Sequence, residues 1–401
     1  MNKMLKKKII PIVLLFLISN VFGQNDLPKI YSGDPGKILS LRKTYLNGEL
    51  KNDASIKYLK RQADKLLDMA PLSVIEKEQT PPSGDKHDYM SMSKYWWPNP
   101  DTKDGLPYIR KDGEVNPGSE KIKDPSYVGK LISSVEILSI AFYITNESKY
   151  SEKASQLLRV WFLNESTKMN PNLNYAQSVK GKNEGTKSGI IDVNGFHRLI
   201  DAIGLLETSK EWTTENKAGI KKWISEFLTW LRTSKNGVEE SKSKNNHGTW
   251  YDVQLVSCLL YLDKNEEAKD HLESTSKKRF DSQIEADGKQ PVELARTNGM
   301  SYTLFNLRAF FKLSLLAEKV KVDLWNYKSN DGGSIRNAFD YFLPFVLDPD
   351  KWEYKQISPF NKKDMYPLLL IAQKKYDDKI YSEWIEKIFG DEIRISIDNF
   401  L

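Results

Sequence analysis

Cysteine, histidine and long apolar segments are all scarce in this 401-residue chain. The single cysteine, Cys258 in the apolar stretch VSCLLYL, has no partner for an internal disulfide, so we expect an inert buried thiol. The four histidines lack the close spacing of metal ligands, so we expect neither a catalytic zinc nor another metal or cofactor. The G-x-S-x-G, P-loop and dinucleotide-binding motifs are also missing, which argues against the enzyme classes that depend on them.

Residues 1–23 have the composition of a secretory signal peptide. A basic start with four lysines is followed by the apolar run IIPIVLLFLI and by small and polar residues near Gly23. We expect this leader to be cleaved and the mature protein to be periplasmic or secreted. No later segment reaches the roughly 18 consecutive apolar residues of a membrane span. No cysteine follows the cleavage region to carry a lipid, so we expect no membrane contact after cleavage.

Loss of the leader takes the formal net charge from +6 to +2, because the leader holds four lysines and no acidic residue. So small an excess gives no reason to expect a nucleic-acid partner. The composition, 39% hydrophobic and 28% charged, is typical of a globular chain with a large core. Since no linker divides residues 24–401, we expect a single domain, and we expect a monomer.

Helical periodicity dominates the mature chain. Leu131, Val135, Leu138 and Phe142 fall on one helical face, and similar apolar stripes recur along the sequence while strand-like alternation is scarce. The stripes predict helices near residues 52–69, 150–163, 196–207, 220–231, 250–262, 301–318, 334–346, 364–374 and 378–389. An all-α fold follows, and helix pairs of about 40 to 60 residues suit an (α/α) toroid or incomplete barrel.

Two long segments break the helical pattern. Residues 80–120 are rich in proline, glycine and aromatic side chains, and residues 169–192 are rich in amides and glycine. Loops this long in a compact domain usually bind something. Flat aromatic faces beside paired amide donors and acceptors suit sugar rings, which have apolar C–H faces and hydroxyl rims. The alternative is that Trp96 and Trp97 only pin their loop onto the core.

The stretch SKSKNNHGTWYD, residues 241–252, predicts a polar helix start. Thr249 is the expected N-cap, which places Asn246 and His247 where free backbone N–H groups favour an anion. An amide and an imidazole at that position can add hydrogen bonds to a carboxylate. Taken alone, His247 is better explained as a structural histidine, and it is the neighbouring residues that favour a functional role.

A second helix start, in ELARTNGMSY, contains Glu293, Arg296 and Tyr302. Arg296 is placed either to hold a carboxylate by a bidentate contact or to lower the pKa of a nearby phenol from about 10. Tyr302 can then exchange a proton. The alternatives are an Arg296–Glu293 ion pair and a core tyrosine.

This combination of side chains suits β-elimination in a uronic-acid polysaccharide. The reaction removes the C5 proton next to a carboxylate and expels the oxygen on C4, and neutralising the carboxylate stabilises the developing enediolate. A tyrosine or a histidine can take the proton, and a tyrosine can return one to the leaving oxygen. No metal is required.

The motifs NNHGTWYD, ELARTNGMSY, YMSMSKYWWPNPDTKDGLPYIR and NPNLNYAQ resemble the alginate lyase superfamily of (α/α)-toroid enzymes. The resemblance runs from about Lys86 to Phe311 and is closest to polysaccharide lyase family 38, with family 5 more distant. It implies that Asn246 and Arg296 neutralise the substrate carboxylate and that Tyr302 is the acid and, in a syn elimination, also the base. It implies too that His247 either assists or acts as the base for the opposite epimer. The five residues between Arg296 and Tyr302 favour family 38.

The same motifs predict the substrate contacts. These are Lys86, Tyr89, Tyr95, Trp96, Trp97, Arg110, Asn174, Tyr175, Gln177, Trp250 and Tyr251. The expected partner is an anionic polysaccharide or oligosaccharide.

The sequence therefore predicts a secreted lyase for a β-1,4-linked uronic-acid polymer, with mannuronate-rich alginate as the first candidate. Glucuronan is an alternative substrate, because β-D-glucuronate differs from β-D-mannuronate only at C2. Other readings are an (α/α)-toroid glycoside hydrolase, with two carboxylates from Asp88, Asp192, Asp252 and Glu293, and a glycan-binding protein.

Overall fold

A computed structural model describes residues 27–376, 378–390 and 400. The predicted signal peptide, residues 1–23, lies outside these residues. The helices are α1 (Pro35–Leu46), α2 (Ala54–Leu67), α3 (Asp124–Thr145), α4 (Ser148–Leu158), α5 (Phe196–Leu206), α6 (Thr214–Thr233), α7 (Lys235–Glu240), α8 (Asn246–Tyr261), α9 (Asn265–His271), α10 (Lys277–Gln283), α11 (Pro291–Leu294), α12 (Gly299–Glu318), α13 (Ile335–Leu347), α14 (Tyr366–Tyr376) and α15 (Lys379–Phe389).

The predicted all-α class is confirmed, because strands in the described residues are few and short. Each predicted apolar stripe lies on one of these helices; in α6, for example, Ile220, Trp223 and Phe227 are buried while the lysines between them face solvent. Side-chain oxygens at several N-caps, such as Asp53 before α2 and Ser334 before α13, accept hydrogen bonds from the first helical N–H groups. The sequence therefore fixes both the buried face and the start of these helices.

Two helices form the centre of the fold and also carry the polar motifs. α8 packs against α12 and α5, and both α8 and α12 are buried along most of their length. Their first turns contain the two motifs that the sequence singles out. The polar residues are thus held at the first turns of two largely buried helices.

The two long loops form small sheets. β1 (Met90–Met92) pairs in parallel with β4 (Tyr175–Ser178), which joins the loop of residues 80–120 to the loop of residues 169–192. β2 (Trp96–Trp97) and β3 (Ile109–Arg110) form an antiparallel ribbon. The loops are therefore tied to each other as well as to the helices.

α3 is the one helix in the described residues that is long and apolar enough to meet the requirements of a membrane span. Of its apolar window, 78% is buried, and it packs against α1, α2, α4 and α5. Its hydropathy is that of a core helix. Cys258 is buried in α8, as expected, and burial raises the pKa of its thiol to about 12.

Candidate active site

A cleft of about 1230 Å³ lies where the two loops meet the first turns of α8 and α12. Asn246, His247, Arg296 and Tyr302 all line it. Residues that are far apart in sequence are brought to one cavity, as the sequence predicts.

The start of α8 differs from the predicted one. Its N-cap is Asn245, whose side chain accepts a hydrogen bond from the backbone N–H of His247. Thr249 lies in the buried second half of the first turn and donates its hydroxyl to Gln283, so its prediction as the N-cap is wrong. Gly248 is needed here because a Cβ at this position would lie 2.1 Å from the carbonyl oxygen of Ser243.

The backbone N–H groups at this helix start already have partners. The N–H of Asn246 donates to Glu293, that of His247 to the Asn245 side chain and that of Gly248 to the Asn245 carbonyl. The carboxyl of Glu293 therefore takes the place at this helix start where the sequence predicts an anion. Contacts to an anion must come from the side chains instead.

His247 is oriented by a buried carboxylate. Its Nδ1 lies 2.5 Å from Oε1 of Glu240, whose other oxygen accepts a hydrogen bond from Ser243. Lys187, which also lines the cleft, donates to the Ser243 hydroxyl. Because a carboxylate accepts from Nδ1, the proton is fixed on that nitrogen and Nε2 is left for chemistry.

Asn246 is fully buried against Glu293. Its Nδ2 lies 3.0 and 2.8 Å from the two carboxyl oxygens, while its Oδ1 is buried without a hydrogen-bond partner. Burial raises the pKa of Glu293, and the hydrogen bonds from Asn246 act in the opposite direction. The alternative of an Arg296–Glu293 ion pair is wrong, because the carboxyl of Glu293 bonds to Asn246.

Arg296 makes a bidentate contact, but with a carboxylate of the protein itself. Its Nε and Nη2 lie 3.1 and 2.7 Å from the two oxygens of Asp112. Burial would raise the pKa of Asp112, but Arg296 and Thr297 outweigh it and hold that pKa well below its ordinary value. The guanidinium carbon lies 3.7 Å from the centre of the Tyr302 ring. Of the two roles predicted for Arg296, the geometry favours the action on the phenol.

Tyr302 donates its hydroxyl to the hydroxyl of Tyr95 at 3.0 Å. Burial raises the pKa of Tyr302, and the charge of Arg296 acts in the opposite direction. The side chain is thus a neutral phenol beside a cation that stabilises the phenolate. This is a suitable starting point for both proton donation and proton removal.

The floor of the cleft is a hydrogen-bonded group around Asp192. Its carboxyl accepts from Gln177 at 2.7 Å, from Ser91 at 2.5 Å and from Tyr89 at 3.2 Å. Gln177 has a left-handed backbone with φ of 49°, an uncommon conformation for a residue with a Cβ, which the surrounding contacts stabilise. These contacts fix the position of the Gln177 amide at the cleft.

Four of the predicted substrate contacts line the cleft. They are Tyr95, Trp96, Arg110 and Gln177. Lys182 lies over the ring of Trp96, with its Nζ 4.5 Å from the ring centre. This side of the cleft therefore combines aromatic faces with positive charge.

The other predicted contacts lie outside the cleft lining, for reasons of packing. Tyr89 is fully buried beneath Asp192, and Tyr251 is buried with its hydroxyl on the carbonyl of Leu231. Trp250 is buried against Phe305. The prediction that these three aromatic residues contact the substrate is thus corrected. They pack behind the residues that line the cleft.

Four more predicted contacts are engaged on the loop exterior. Lys86 donates to the carbonyl of Lys77, Trp97 donates to the carbonyl of Glu114, and the Asn174 side chain accepts from Trp230. Tyr175 lies in β4, paired with Met90. The structure does not bring these side chains to the cleft.

Several residues of the cleft were not predicted from the sequence. Glu240 orients His247, and Asp112 orients Arg296. Among the described residues that line the cleft, six side chains are cationic and four are carboxylates. The cations are Lys94, Arg110, Lys123, Lys187, Lys235 and Arg296. Neither Lys242 nor Lys244 of the SKSKNNH stretch is among them, so that stretch did not signal these cations, which come from segments distant in sequence.

The carboxylates considered for a hydrolase are mostly engaged elsewhere. Asp252 is held by Arg279 and His271, and Asp88 accepts from Asn170 and Asn172. Of the four candidates, Asp192 alone is among the described residues that line the cleft. The pair of facing carboxylates that glycoside hydrolysis needs is therefore not formed by these residues.

The charge and the aromatic walls of the cleft indicate an acidic carbohydrate, and the polar side chains at its centre indicate proton transfer. The fold and the site together define an all-α carbohydrate-active enzyme.

Comparison with known proteins gives the family. The model of the family described as Alginate lyase matches residues 73–352. The chain is 38% identical to an alginate lyase from Bacteroides ovatus of known structure, over 93% of this chain and 97% of that one, with a TM-score of 0.85. No protein of curated function matches the chain at a significant level.

More distant structures share the fold. Alginate lyase A1-III from Sphingomonas species A1 is 15% identical, with a TM-score of 0.55 over 94% of this chain and 95% of that one. A histidine-to-alanine variant of A1-III complexed with a tetrasaccharide is 16% identical, with a TM-score of 0.55 over 88% and 90%. The chain belongs to the alginate lyase family: it is a polysaccharide lyase with an (α/α)-toroid fold, which confirms the resemblance at the level of the superfamily.

Proposed function

We propose that the protein is an exported lyase that cleaves mannuronate-rich alginate by β-elimination. The observation that carries the proposal is that Tyr302, stacked on Arg296, lies in the same cationic cleft as His247 and Asn246. The 38% identical structure is an alginate lyase, which supports this substrate. The leader of residues 1–23 supports export to the periplasm or medium, with residues 24–401 acting as a monomeric single-domain enzyme.

Binding rests on charge and on aromatic faces. The excess of cations along the cleft attracts a polyanion, and Trp96 and Tyr95 offer flat faces to the C–H side of the sugar rings. Lys182 above Trp96 adds positive charge where a uronate carboxylate passes. The cleft thereby favours acidic sugars over neutral ones.

Neutralisation of the reacting carboxylate falls to Asn246 and His247. Nδ1 of His247 is held by Glu240, so Nε2 is free to donate to the carboxylate when the ring is protonated. The amide of Asn246, in the first turn of α8, donates to Glu293 and must turn from that carboxyl to the substrate carboxylate in order to add its hydrogen bond. Hydrogen bonds at the carboxylate stabilise the negative charge that moves onto it as C5 loses its proton.

Tyr302 carries both proton transfers. In β-D-mannuronate the C5 hydrogen and the C4 oxygen lie on the same side of the ring, so one group can serve both atoms. Because Tyr302 rests as a neutral phenol, it must first lose its proton to solvent. The phenolate, stabilised by Arg296, then takes the C5 proton, and the electron pair forms the C4–C5 double bond as the C4–O bond breaks. Tyr302 then donates that proton to the departing oxygen and returns to the phenolate.

The test is ultraviolet absorbance of the C4–C5 double bond, which is conjugated with the carboxylate. The mature protein is incubated in parallel with polymannuronate, polyguluronate and glucuronan, and Tyr302→Phe is the inactive control. We expect the fastest rise on polymannuronate. A rise on glucuronan alone would reassign the substrate. New reducing ends without absorbance would indicate a hydrolase, and binding without either signal would indicate a glycan-binding protein.

A further inference from the structure

A second cavity, of about 490 Å³, lies between the terminal helices and the core. It is enclosed by the start of α1, by α3, α5, α12 and α14, and by Trp250 of α8. Asn194 lines both this cavity and the catalytic cleft, so the two lie back to back. Its size falls within the range of small-molecule sites, roughly 300 to 1,000 Å³.

Positive charge exceeds negative charge around this cavity. Among the residues that the structure describes, seven lysine and arginine side chains line it, against four carboxylates. The carboxylates are already compensated: Glu136 bonds to Arg198, and Asp201 accepts from Ser32 and Tyr31. In the same way Asp34 pairs with Lys374 and Glu318 pairs with Lys375. The excess of charge is therefore positive.

The cations converge on one region of the wall. Burial lowers the pKa of His197, and the charges of Lys312, Arg198 and Arg308 lower it further. Lys319, the half-buried C-cap of the helix that carries Arg308 and Lys312, forms no close ion pair with the residues that the structure describes. An anion entering the cavity would meet this group of charges.

The wall also has features that suit a sugar ring. Trp250 and Phe311 provide apolar faces. Nδ1 of the neutral His197 donates to the carbonyl of Asn194, so its Nε2 is an acceptor. Apolar faces and an acceptor beside cations match a ring that carries hydroxyls and a carboxylate.

We infer that this cavity is a second binding site, separate from the cleft, for a monomeric or dimeric sugar acid. The choice of a uronate rests on the proposed function, since elimination in the cleft would release products of this kind. The positive cavity itself does not depend on that proposal.

The test measures binding of D-glucuronate by calorimetry to the mature protein and to two matched lysine variants. Lys319→Met removes a charge from the cavity, and Lys222→Met removes one from the exposed face of α6. We expect Lys319→Met to weaken binding at least tenfold, Lys222→Met to change it less than twofold, and both to retain the elimination rate. Because Lys319 has no close ion pair, its replacement should not lower Tm.

Equal binding by the two variants would place glucuronate in the cleft and overturn the inference. Inorganic phosphate is the second probe: if it binds in a Lys319-dependent way and glucuronate does not, the site takes a simple anion and the sugar-acid assignment fails. Arg308→Gln provides a second substitution in the same wall and should also weaken glucuronate binding. If the mature protein binds glucuronate in this cavity but shows no elimination activity, the proposed function fails while the second binding site stands.

Discussion

Tyr302 is the residue on which the proposed chemistry depends. Tyr302→Phe removes the hydroxyl that donates to Tyr95 and leaves the ring on Arg296. We expect kcat to fall by about 10³-fold or more, in line with the loss of general acid–base catalysis, while oligosaccharide affinity stays within about twofold. Steady-state rates and calorimetry check both values. Tyr95→Phe, which removes only the acceptor, should be much milder; substantial turnover by Tyr302→Phe would exclude Tyr302 as the acid and base.

The pairing of Arg296 with Tyr302 predicts a shift in pH dependence. Burial raises the pKa of Tyr302 and Arg296 lowers it, so Arg296→Gln should raise it further. Since the phenolate is the base, kcat/KM rises with pH toward that pKa, and the rising limb should move to higher pH in the variant. Profiles of kcat/KM against pH measure the shift.

Arg110→Gln is the matched control for this shift. Arg110 also contacts Asp112, at 2.6 Å, but the ring of Tyr302 is stacked on Arg296 instead. In Arg110→Gln we expect the rising limb of the kcat/KM profile to stay at the same pH, even if KM changes. An unmoved limb in Arg296→Gln would mean that Arg296 does not act on the phenol.

Glu293 holds Asn246, and its protonation state can be tested by an isosteric change. Because burial raises the pKa of Glu293, Glu293→Gln should be tolerated: its oxygen can still accept from the backbone N–H of Asn246, and if the Asn246 amide turns over, its Oδ1 can accept from the new amide. Glu293→Ala should cost about 1–3 kcal/mol of stability, since it leaves the buried N–H of Asn246 without an acceptor. Urea unfolding of both variants gives the comparison. Equal losses in the two variants would show that the charge of Glu293, and not its shape, is needed.

At the scale of elements, the β2–β3 ribbon separates the roles of two adjacent tryptophans. Successive side chains on a strand face opposite sides. Trp96 lines the cleft under Lys182, while Trp97 donates to the carbonyl of Glu114 outside it. The sequence left open whether these rings bind sugar or pin the loop, and the structure gives each ring one of the two positions.

This difference predicts opposite effects of two alanine substitutions. Trp96→Ala should raise KM for oligosaccharides about tenfold, equivalent to about 1.4 kcal/mol, with little change in Tm. Trp97→Ala should lower Tm and change KM less. Kinetics and thermal unfolding of the two variants test the assignment, and a KM effect confined to Trp97→Ala would reverse it.

The helices themselves were predictable because their apolar stripes are local and periodic. The start of α8 was not, because NNHGT contains several residues that can cap a helix, and the cap falls on Asn245 and not on Thr249. Trp250 and Tyr251 were assigned to the substrate on the basis of residue type. Burial on every side of α8 places both in the interior, which a local pattern cannot reveal.

At the scale of the whole molecule, the sequence did not predict which side chains pair with the residues of the active site. Asp112 meets Arg296 across 184 positions, and Glu293 meets Asn246 across 47. Such pairs depend on how the loops fold back over the helices, and nothing in the spacing of one motif contains that information. The chemistry of the cleft was readable from residue types, while the groups that orient those residues became visible only in three dimensions.

A fully buried ion pair between Lys77 and Asp124 joins the loop of residues 80–120 to the core. The last prediction tests this pair. Nζ of Lys77 lies 2.9 Å from the carboxylate of Asp124, at the start of α3, and also donates to the carbonyls of Val74 and Lys86. The same carboxylate accepts from the N–H of Met90, where the loop enters β1. The pair therefore links three parts of the chain in an interior that excludes water.

Lys77→Met should destabilise the protein by about 3–5 kcal/mol at neutral pH, because it leaves a buried carboxylate without its cation. Burial raises the pKa of Asp124 to about 6, and Lys77 acts against that rise, so the pKa should be higher still in the variant. When a carboxyl has a higher pKa in the folded state than in the unfolded state, the protein loses stability as the pH rises through the folded-state pKa.

The defect in Lys77→Met should consequently be smaller at pH 5 than at pH 8, as measured by urea unfolding at the two values. Lys77→Met/Asp124→Asn removes the charge that causes it, so this double variant should recover part of the stability at pH 8 and lose the difference between the two pH values. Equal destabilisation at both values would mean that Lys77 acts through its hydrogen bonds to Val74 and Lys86. In that case the double variant would gain nothing over the single one.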